Sequence, residues 1–320
     1  MNKLQTGLTA VALALSVVGT AQAAPAIAAG DSTIFFNNFE NLYRSTTACA
    51  AGGCLAADAG DPTGYQRIDP TIANNVAVGD IFAGVLNIQN ITSVVSGSDT
   101  YNSVPGDRFT GYFAQQIMAI DLPSLGHATA HLTLGTVAAD PFGILGAGEM
   151  FRLYSNMAGF SSGGTLASSI ASATTGGTFW GSLGLGTEGY AYTHTDLTQT
   201  VGSSNTEAFF ALDLILAGAG YTGGALNKLN DFNEDEVGGL KSSPLNQVCS
   251  AADLVNPALS CTDFVGTSEI EGNSAFGANS PWMFASNDPL DLNRIPEPGT
   301  LALVGLSLAG LGALRRRRVY

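Results

Sequence analysis

The chain has 320 residues and a net charge of −14, because 26 Asp and Glu residues outnumber 12 Lys and Arg residues. Its hydrophobic content of 45% can bury enough apolar area to offset chain entropy, which argues against a disordered protein. The acidic balance also argues against a nucleic-acid-binding protein, which needs a basic face to displace counterions from phosphates. The 40 glycines favour short strands and turns over helices.

The first 23 residues have the three parts of a secretory signal peptide. Lys3 gives a basic start, residues 8–18 form an apolar core too short to span a bilayer, and Ala21-Gln22-Ala23 is a small-residue exit. We therefore expect export through the general secretion machinery and removal of residues 1–23 by signal peptidase.

Apolar runs of strand length alternate with turn clusters between residues 24 and 294. The predicted strands are Thr33–Tyr43, Val76–Val95, Phe109–Leu122, Ala128–Ala138, Met150–Tyr154, Phe179–Leu183, Gly189–His194 and Glu207–Leu216, with a last strand near Trp282–Ala285. One short helix is predicted at Leu166–Ala173, and residues 217–281 are expected to form a long, loop-rich connection. This pattern predicts a mainly β exported domain, an antiparallel β-sandwich or jelly roll, over residues 24–294.

The four cysteines lie in two close pairs, Cys49 with Cys54 and Cys249 with Cys261. Four cysteines allow three connectivities, but export to an oxidising compartment and the short spacings favour the two local disulfides. Neither pair has the C-x2-C spacing of a zinc site.

Two glycine-rich motifs match functional patterns, and both are better explained as turns. Residues 159–163 (GFSSG) match the G-x-S-x-G nucleophile elbow around Ser161, but that pattern needs a strand, an elbow and a helix in an α/β sheet. Residues 184–189 (GLGTEG) match G-x-G-x-x-G, but they lead into a predicted strand instead of the helix that a phosphate loop needs. We expect a Gly/Ser loop and a hairpin turn.

Candidate metal ligands are sparse. His127 and His131 are four residues apart but lack the glutamate of H-E-x-x-H, so a surface or packing role is expected for them. Asp231, Asn233 and Asp235 have the alternating oxygen spacing of a calcium loop, although Glu and Ser occupy positions 236 and 242, where such a loop has Gly and Glu. We expect a solvated acidic loop and no cofactor, with weak Ca²⁺ binding by these three residues as the alternative.

The acidic composition of the exported part bears on that alternative. Residues 24–294 contain 7 basic and 25 acidic residues, which gives this part a net charge of −18. Such a surface repels anionic cell surfaces and attracts divalent cations.

Two further sets of side chains suit carbohydrate chemistry. A glycoside hydrolase needs two carboxylates about 5–10 Å apart, and Glu149, Glu188 and Asp213 are candidates, but one sequence does not reveal their separation. Aromatic side chains can stack on sugar rings, although core packing is their commoner role. The aromatic candidates are Trp180, Tyr190, Tyr192 and Trp282.

The C-terminal tail, residues 295–320, has three features in a fixed order. Pro296, Glu297 and Pro298 form an accessible tripeptide, because the prolines stop a helix there. Residues 301–314 form an apolar run slightly too short for a hydrocarbon core of about 30 Å, and we expect a marginal transmembrane helix. The four arginines that follow favour a cytoplasmic end of the chain: Arg315, Arg316, Arg317 and Arg318.

This tail resembles the PEP-CTERM sorting signal of Gram-negative bacteria. The resemblance implies recognition by an exosortase, a membrane enzyme that processes such proteins near the tripeptide and releases or transfers them to the surface. Bacteria with such systems usually make exopolysaccharide. The same tail is sometimes labelled an ice-binding protein C-terminal domain, which describes the tail and gives no evidence for ice binding. An ordinary membrane anchor is the alternative.

These features together predict an exported, non-enzymatic protein of the cell surface or biofilm matrix. We expect a transient inner-membrane anchor, an exosortase as partner, exopolysaccharide as a further partner, and no nucleic acid. The alternatives are a calcium-dependent carbohydrate-binding module and a secreted hydrolase that uses Ser161 or a carboxylate pair.

Overall fold

The computed structural model describes residues 25, 27, 30–58, 60–94, 96–122, 129–187, 189–196, 206–221, 226–227, 229–230, 247–249, 261–271 and 280–294. The predicted signal peptide, the acidic segment with Asp231, Asn233 and Asp235, and the tail from residue 295 onward lie outside the described residues. None of the described helices is long and apolar enough to cross a membrane.

The described residues form 16 strands and two helices. In chain order these are β1 (Gly30–Ser45), α1 (Thr46–Cys49), β2 (Tyr65–Arg67), β3 (Ile81–Ser93), β4 (Asp99–Asn102), β5 (Arg108–Asp121), β6 (Ala130–Gly135), β7 (Phe151–Met157), α2 (Leu166–Thr174), β8 (Thr178–Gly184), β9 (Tyr190–Thr195), β10 (Thr206–Ala217), β11 (Leu226–Asn227), β12 (Leu229–Asn230), β13 (Gln247–Val248), β14 (Cys261–Thr262), β15 (Phe264–Glu271) and β16 (Phe284–Arg294). The predicted mainly β, antiparallel class is confirmed, and the predicted helix corresponds to α2.

Thirteen of the strands belong to one antiparallel sheet whose ends meet. β1 pairs with β3 on one side and with β16 on the other, and the ladder continues through β5, β7, β8, β10 and β15 back to β16. Most neighbouring strands of the sheet follow one another closely along the chain, and the pairing of the first strand, β1, with the last, β16, closes the sheet. The remaining β12, β13 and β14 form a small separate sheet.

At two places in this closed sheet, two short strands lie end to end beside one long strand. β6 and β7 pair with successive halves of β5, and β9 and β8 pair with successive halves of β10. Residues 185–189, expected to be a hairpin turn, connect β8 to β9, which pair with β10 and not with each other.

Part of the segment predicted as a loop-rich connection is a strand. β15 pairs with both β10 and β16 and completes the closed sheet, although it lies within residues 217–281. Its sequence, FVGTSEIE, has too few apolar residues to predict a strand without knowledge of its two neighbours.

The main core lies inside the closed sheet. Alternate residues of each strand point inward, as the period of two requires, and bury the side chains of Ile34, Phe113, Trp180, Phe210 and Phe264. Each fully buried side chain of this size contributes about 1.5–3 kcal/mol.

A second core lies on the outer side of β1, β3 and β5, beneath α2. Leu166, Ile170 and Ala173 form the buried stripe of this helix and pack on the sheet with Tyr112. The helix begins at a capping box in which Thr165 and Ser168 bond each other's backbone N–H groups.

Both predicted local disulfides, Cys49–Cys54 and Cys249–Cys261, are present. The first closes a small loop after β1, next to a buried ion pair in which the Arg44 guanidinium donates to both oxygens of Asp80. This loop is thereby fixed to the start of β3.

Candidate functional site

Five ring side chains gather on the outer face of β6, β9 and β10. We call them the ring cluster: His131, Tyr190, Tyr192, His194 and Phe209. They lie there because alternate residues of a strand face opposite sides, and their neighbours Ala191 and Phe210 enter the inner core.

The rings are held by cross-strand pairing. His131 pairs with His194, and their rings stack at 5.1 Å; Tyr192 pairs with Phe209, and those rings stack at 4.9 Å. Tyr190 stacks on Tyr192 at 5.8 Å. Tyr192 is buried at the centre, whereas the other four rings are partly exposed, so the cluster forms a continuous, partly exposed aromatic surface.

Acidic residues occupy the register positions next to the two histidines of the ring cluster. The strand register aligns Asp121 with His131, His131 with His194, and His194 with Glu207. His131 Nδ1 lies 3.9 Å from Asp121 Oδ2, but Asp121 is largely exposed, so this contact contributes little to stability. Among the described residues, no three His, Cys, Asp or Glu side chains meet as a metal site.

This arrangement suits recognition of a carbohydrate. Flat rings pack against the C–H faces of a sugar, and tyrosine hydroxyls bond its hydroxyl groups. Tyr190 and Tyr192 were candidates from the sequence. His131, His194 and Phe209 join them only through the strand register, which the sequence does not reveal.

The two tryptophans have packing roles. Trp180 is fully buried, with its ring 5.0 Å from that of Phe109 and 4.9 Å from that of Tyr221. Trp282 is buried beneath the loop before α2 and donates its Nε1–H to the Ser162 carbonyl at 2.9 Å. Neither ring is available to a sugar.

Backbone hydrogen bonds hold residues 159–163 (GFSSG) in place. Ser161 N donates to Ser172 Oγ at 3.1 Å, and the Ser161 carbonyl accepts from Ser169 Oγ at 2.8 Å. The segment thus forms a loop that the main chain of Ser161 anchors on α2.

The glycine-rich turn between β8 and β9 lies against β10. Gly186 has a φ of +59° and approaches the Asp213 carboxylate so closely that an added Cβ would overlap it. Gly189 N donates to the Leu185 carbonyl at 2.7 Å and closes the turn before β9. A strand follows the turn, so it lacks the helix N-terminus of a phosphate site.

The carboxylate candidates for hydrolysis do not form a described pair. Glu149 is buried and accepts from Gly146 N at 2.8 Å and from Arg152 Nη2 at 3.2 Å, so it fixes a loop. Asp213 lies on β10, while Glu188 is outside the described residues, as is His127.

The interior of the closed sheet holds one further acidic group. Glu40 points inward from β1, is only 3% exposed, and lines a cavity of about 20 Å³. The period-two pattern of β1 places it inside, but its sequence neighbours Asn38 and Asn41 are polar, so the sequence alone did not single it out.

Comparison with known families identifies the tail. Residues 294–318 match the family model of the PEP-CTERM protein-sorting motif. A comparison with curated proteins found no match, and a comparison with solved structures found none either. The resemblance of the tail is confirmed, and the motif implies an exported protein that passes through the membrane and is sorted by an exosortase.

Proposed function

We propose that the sorted protein acts without catalysis at the cell surface or in the extracellular polysaccharide matrix. The observation that carries the proposal is the sorting motif at residues 294–318, which directs the chain out of the cell. The structural contacts of Glu149 and of the Ser161 main chain support a non-enzymatic role, because they fix loops.

Fractionation of the host tests this location. We expect the protein in the surface or matrix fraction, and we expect a polysaccharide-degrading enzyme to release it. Recovery in the soluble periplasm would contradict the proposal. Turnover of a polysaccharide or ester panel that Ser161→Ala abolishes would favour the hydrolase instead.

The ring cluster supports a second, more specific function, binding of a carbohydrate. The net charge of −18 over residues 24–294 repels anionic chains, so a neutral polysaccharide is the favoured ligand. We expect retention on a neutral host polysaccharide to fall at least tenfold in Tyr190→Ala combined with Phe209→Ala. Phe35→Ala, which removes a 41% exposed ring elsewhere, serves as the matched control.

Calcium is a separate variable in the same assay. Asp231, Asn233 and Asp235 are the residues that would hold it, and a chelator would then lower both retention and the melting temperature. Retention that a chelator leaves unchanged would remove calcium from the proposal and leave the rings as the binding surface.

A further inference from the structure

The strand register places one end of the closed sheet next to the sorting tail. Gly30, at the start of β1, is the partner of Arg294, at the end of β16. The end of β3 and the start of β15 pair with the same stretches of β1 and β16. The end of β10 lies on this side too, because its last residues pair with β8 beyond the start of β15. We call this the tail end of the closed sheet.

A short connection joins the tail end to the apolar run of the tail. Only six residues separate Arg294 from the apolar run at residues 301–314. Six extended residues span at most about 22 Å, so a membrane-anchored run keeps Arg294 within about 22 Å of the bilayer. β16 runs from Arg294 back to Phe284 over about 33 Å of strand, so the opposite end of the sheet lies farther from the tail.

Four exposed apolar side chains lie at the tail end. Val94 follows β3, Val104 lies in the turn before β5, and Ile215 and Leu216 lie near the end of β10. Neighbours in a regular strand face opposite sides, but Ile215 and Leu216 are both exposed, because the register with β8 shifts by one residue at this point. We call these four side chains the apolar rim.

A flat, apolar partner suits the apolar rim. Its side chains belong to three separate segments of the closed sheet, and a flat surface contacts such a rim as a whole, unlike a peptide in a groove. The net charge of −18 over residues 24–294 disfavours an anionic surface. We propose that the apolar rim rests on a zwitterionic phospholipid bilayer while the tail anchors the protein. This proposal rests on the sorting route proposed above.

This orientation turns the ring cluster away from the bilayer. Phe209 lies seven residues before Leu216 on β10, which corresponds to about 23 Å along the strand. His194 pairs with Glu207, near the start of β10 and far from the tail end. The anchored protein therefore presents its aromatic surface to the space outside the membrane.

Fluorescence quenching in vesicles tests the orientation. All four cysteines form disulfides, so one introduced cysteine accepts a fluorophore selectively. Leu216→Cys labels the apolar rim, and Leu122→Cys labels an exposed leucine after β5, at the opposite end, as the matched control. The full-length proteins are reconstituted in phosphatidylcholine vesicles that contain a nitroxide-labelled phospholipid. We expect at least twofold stronger quenching at position 216 than at position 122, and equal quenching would overturn the proposal.

A further variant separates lipid contact from tethering alone. Val94→Ser, Val104→Ser and Ile215→Ser together, in the protein labelled at position 216, remove exposed apolar side chains and leave the core intact. We expect quenching to fall to the level at position 122, and unchanged quenching would refute contact with lipid. Flotation of the vesicles reports the anchor itself, and a protein that does not float with them would contradict the proposal. Retention on polysaccharide is a separate measurement, so its loss would contradict the proposed function and not the orientation.

Discussion

Loss of the buried charge on Asp80 should destabilise the protein strongly. Asp80 is 1% exposed, and its carboxylate accepts from Arg44 Nε at 2.8 Å, from Arg44 Nη2 at 2.7 Å and from Ala77 N at 2.8 Å. Asp80→Asn keeps the shape of the side chain but leaves the Arg44 guanidinium without its counter-charge. Arg44 Nη1 also donates to Asn75, which holds the Gly53 carbonyl, so the disulfide loop depends on the same pair.

The magnitude follows from the burial of both partners. Removing one partner of a buried ion pair costs about 3–5 kcal/mol, and the Arg44 side chain keeps 12% exposure, which favours the lower end of that range. With an m-value of about 3 kcal/mol/M in urea, a loss of about 3 kcal/mol lowers the unfolding midpoint by about 1 M. Urea unfolding of the full-length protein, followed by fluorescence, measures this shift.

A second ion pair in the same region gives the matched control. Asp58 lies 2.9 Å from Arg67, but its side chain is 59% exposed, so Asp58→Asn should cost less than about 1 kcal/mol. Arg44→Met combined with Asp80→Leu should recover much of the lost stability, because it removes both charges. If Asp80→Asn costs no more than Asp58→Asn, the Arg44–Asp80 pair does not fix the loop.

Three further substitutions have defined outcomes. Tyr112 donates to Asp140 Oδ1 at 2.5 Å, so Tyr112→Phe should lower the unfolding free energy by about 1–2 kcal/mol in urea titrations. An unchanged unfolding midpoint would show that this hydrogen bond does not stabilise the protein. Trp180→Ala should cost about 3–5 kcal/mol by the same assay, because it opens a cavity in the inner core, and a cost below 1 kcal/mol would contradict full burial. Burial raises the pKa of Asp291, although Thr33 donates a hydrogen bond to its carboxylate at 2.6 Å. The folded state therefore holds the carboxyl proton more tightly than the unfolded state does. The stability that this proton contributes is lost as pH rises above about 4. Asp291→Asn should therefore gain stability relative to wild type between about pH 4 and 7, and a constant difference across that range would refute the raised pKa.

Much of the sheet follows from the sequence because its strands have clear apolar runs. Thr33–Tyr43 and Phe109–Leu122 coincide closely with β1 and β5, and Leu166–Ala173 with α2. β15 was missed because tertiary pairing with β10 and β16, not its own composition, makes it a strand. β4, at Asp99–Asn102, lies between the predicted strands Val76–Val95 and Phe109–Leu122, where its mostly polar residues predict no strand.

The candidate site depends on relations that the sequence does not contain. His131 and His194 are 63 residues apart, and only the register of β6 and β9 makes them partners. The inward position of Glu40 likewise depends on which face of β1 lies against the core. Both faces of β1 carry polar and apolar residues, so the sequence does not determine which face is buried. The two cysteine pairs, in contrast, were predictable, because their short spacings limit the connectivity.

The central claim is that an exosortase sorts this protein out of the cell. The delivery of a tail variant tests this claim most directly. The measurement is immunodetection of full-length wild type and of Pro296→Ala combined with Glu297→Ala in inner-membrane and extracellular fractions of the host. The account predicts that the wild type reaches the outside and that the variant stays in the inner membrane. Equal delivery of the two proteins would contradict the assignment of the tail as the sorting signal.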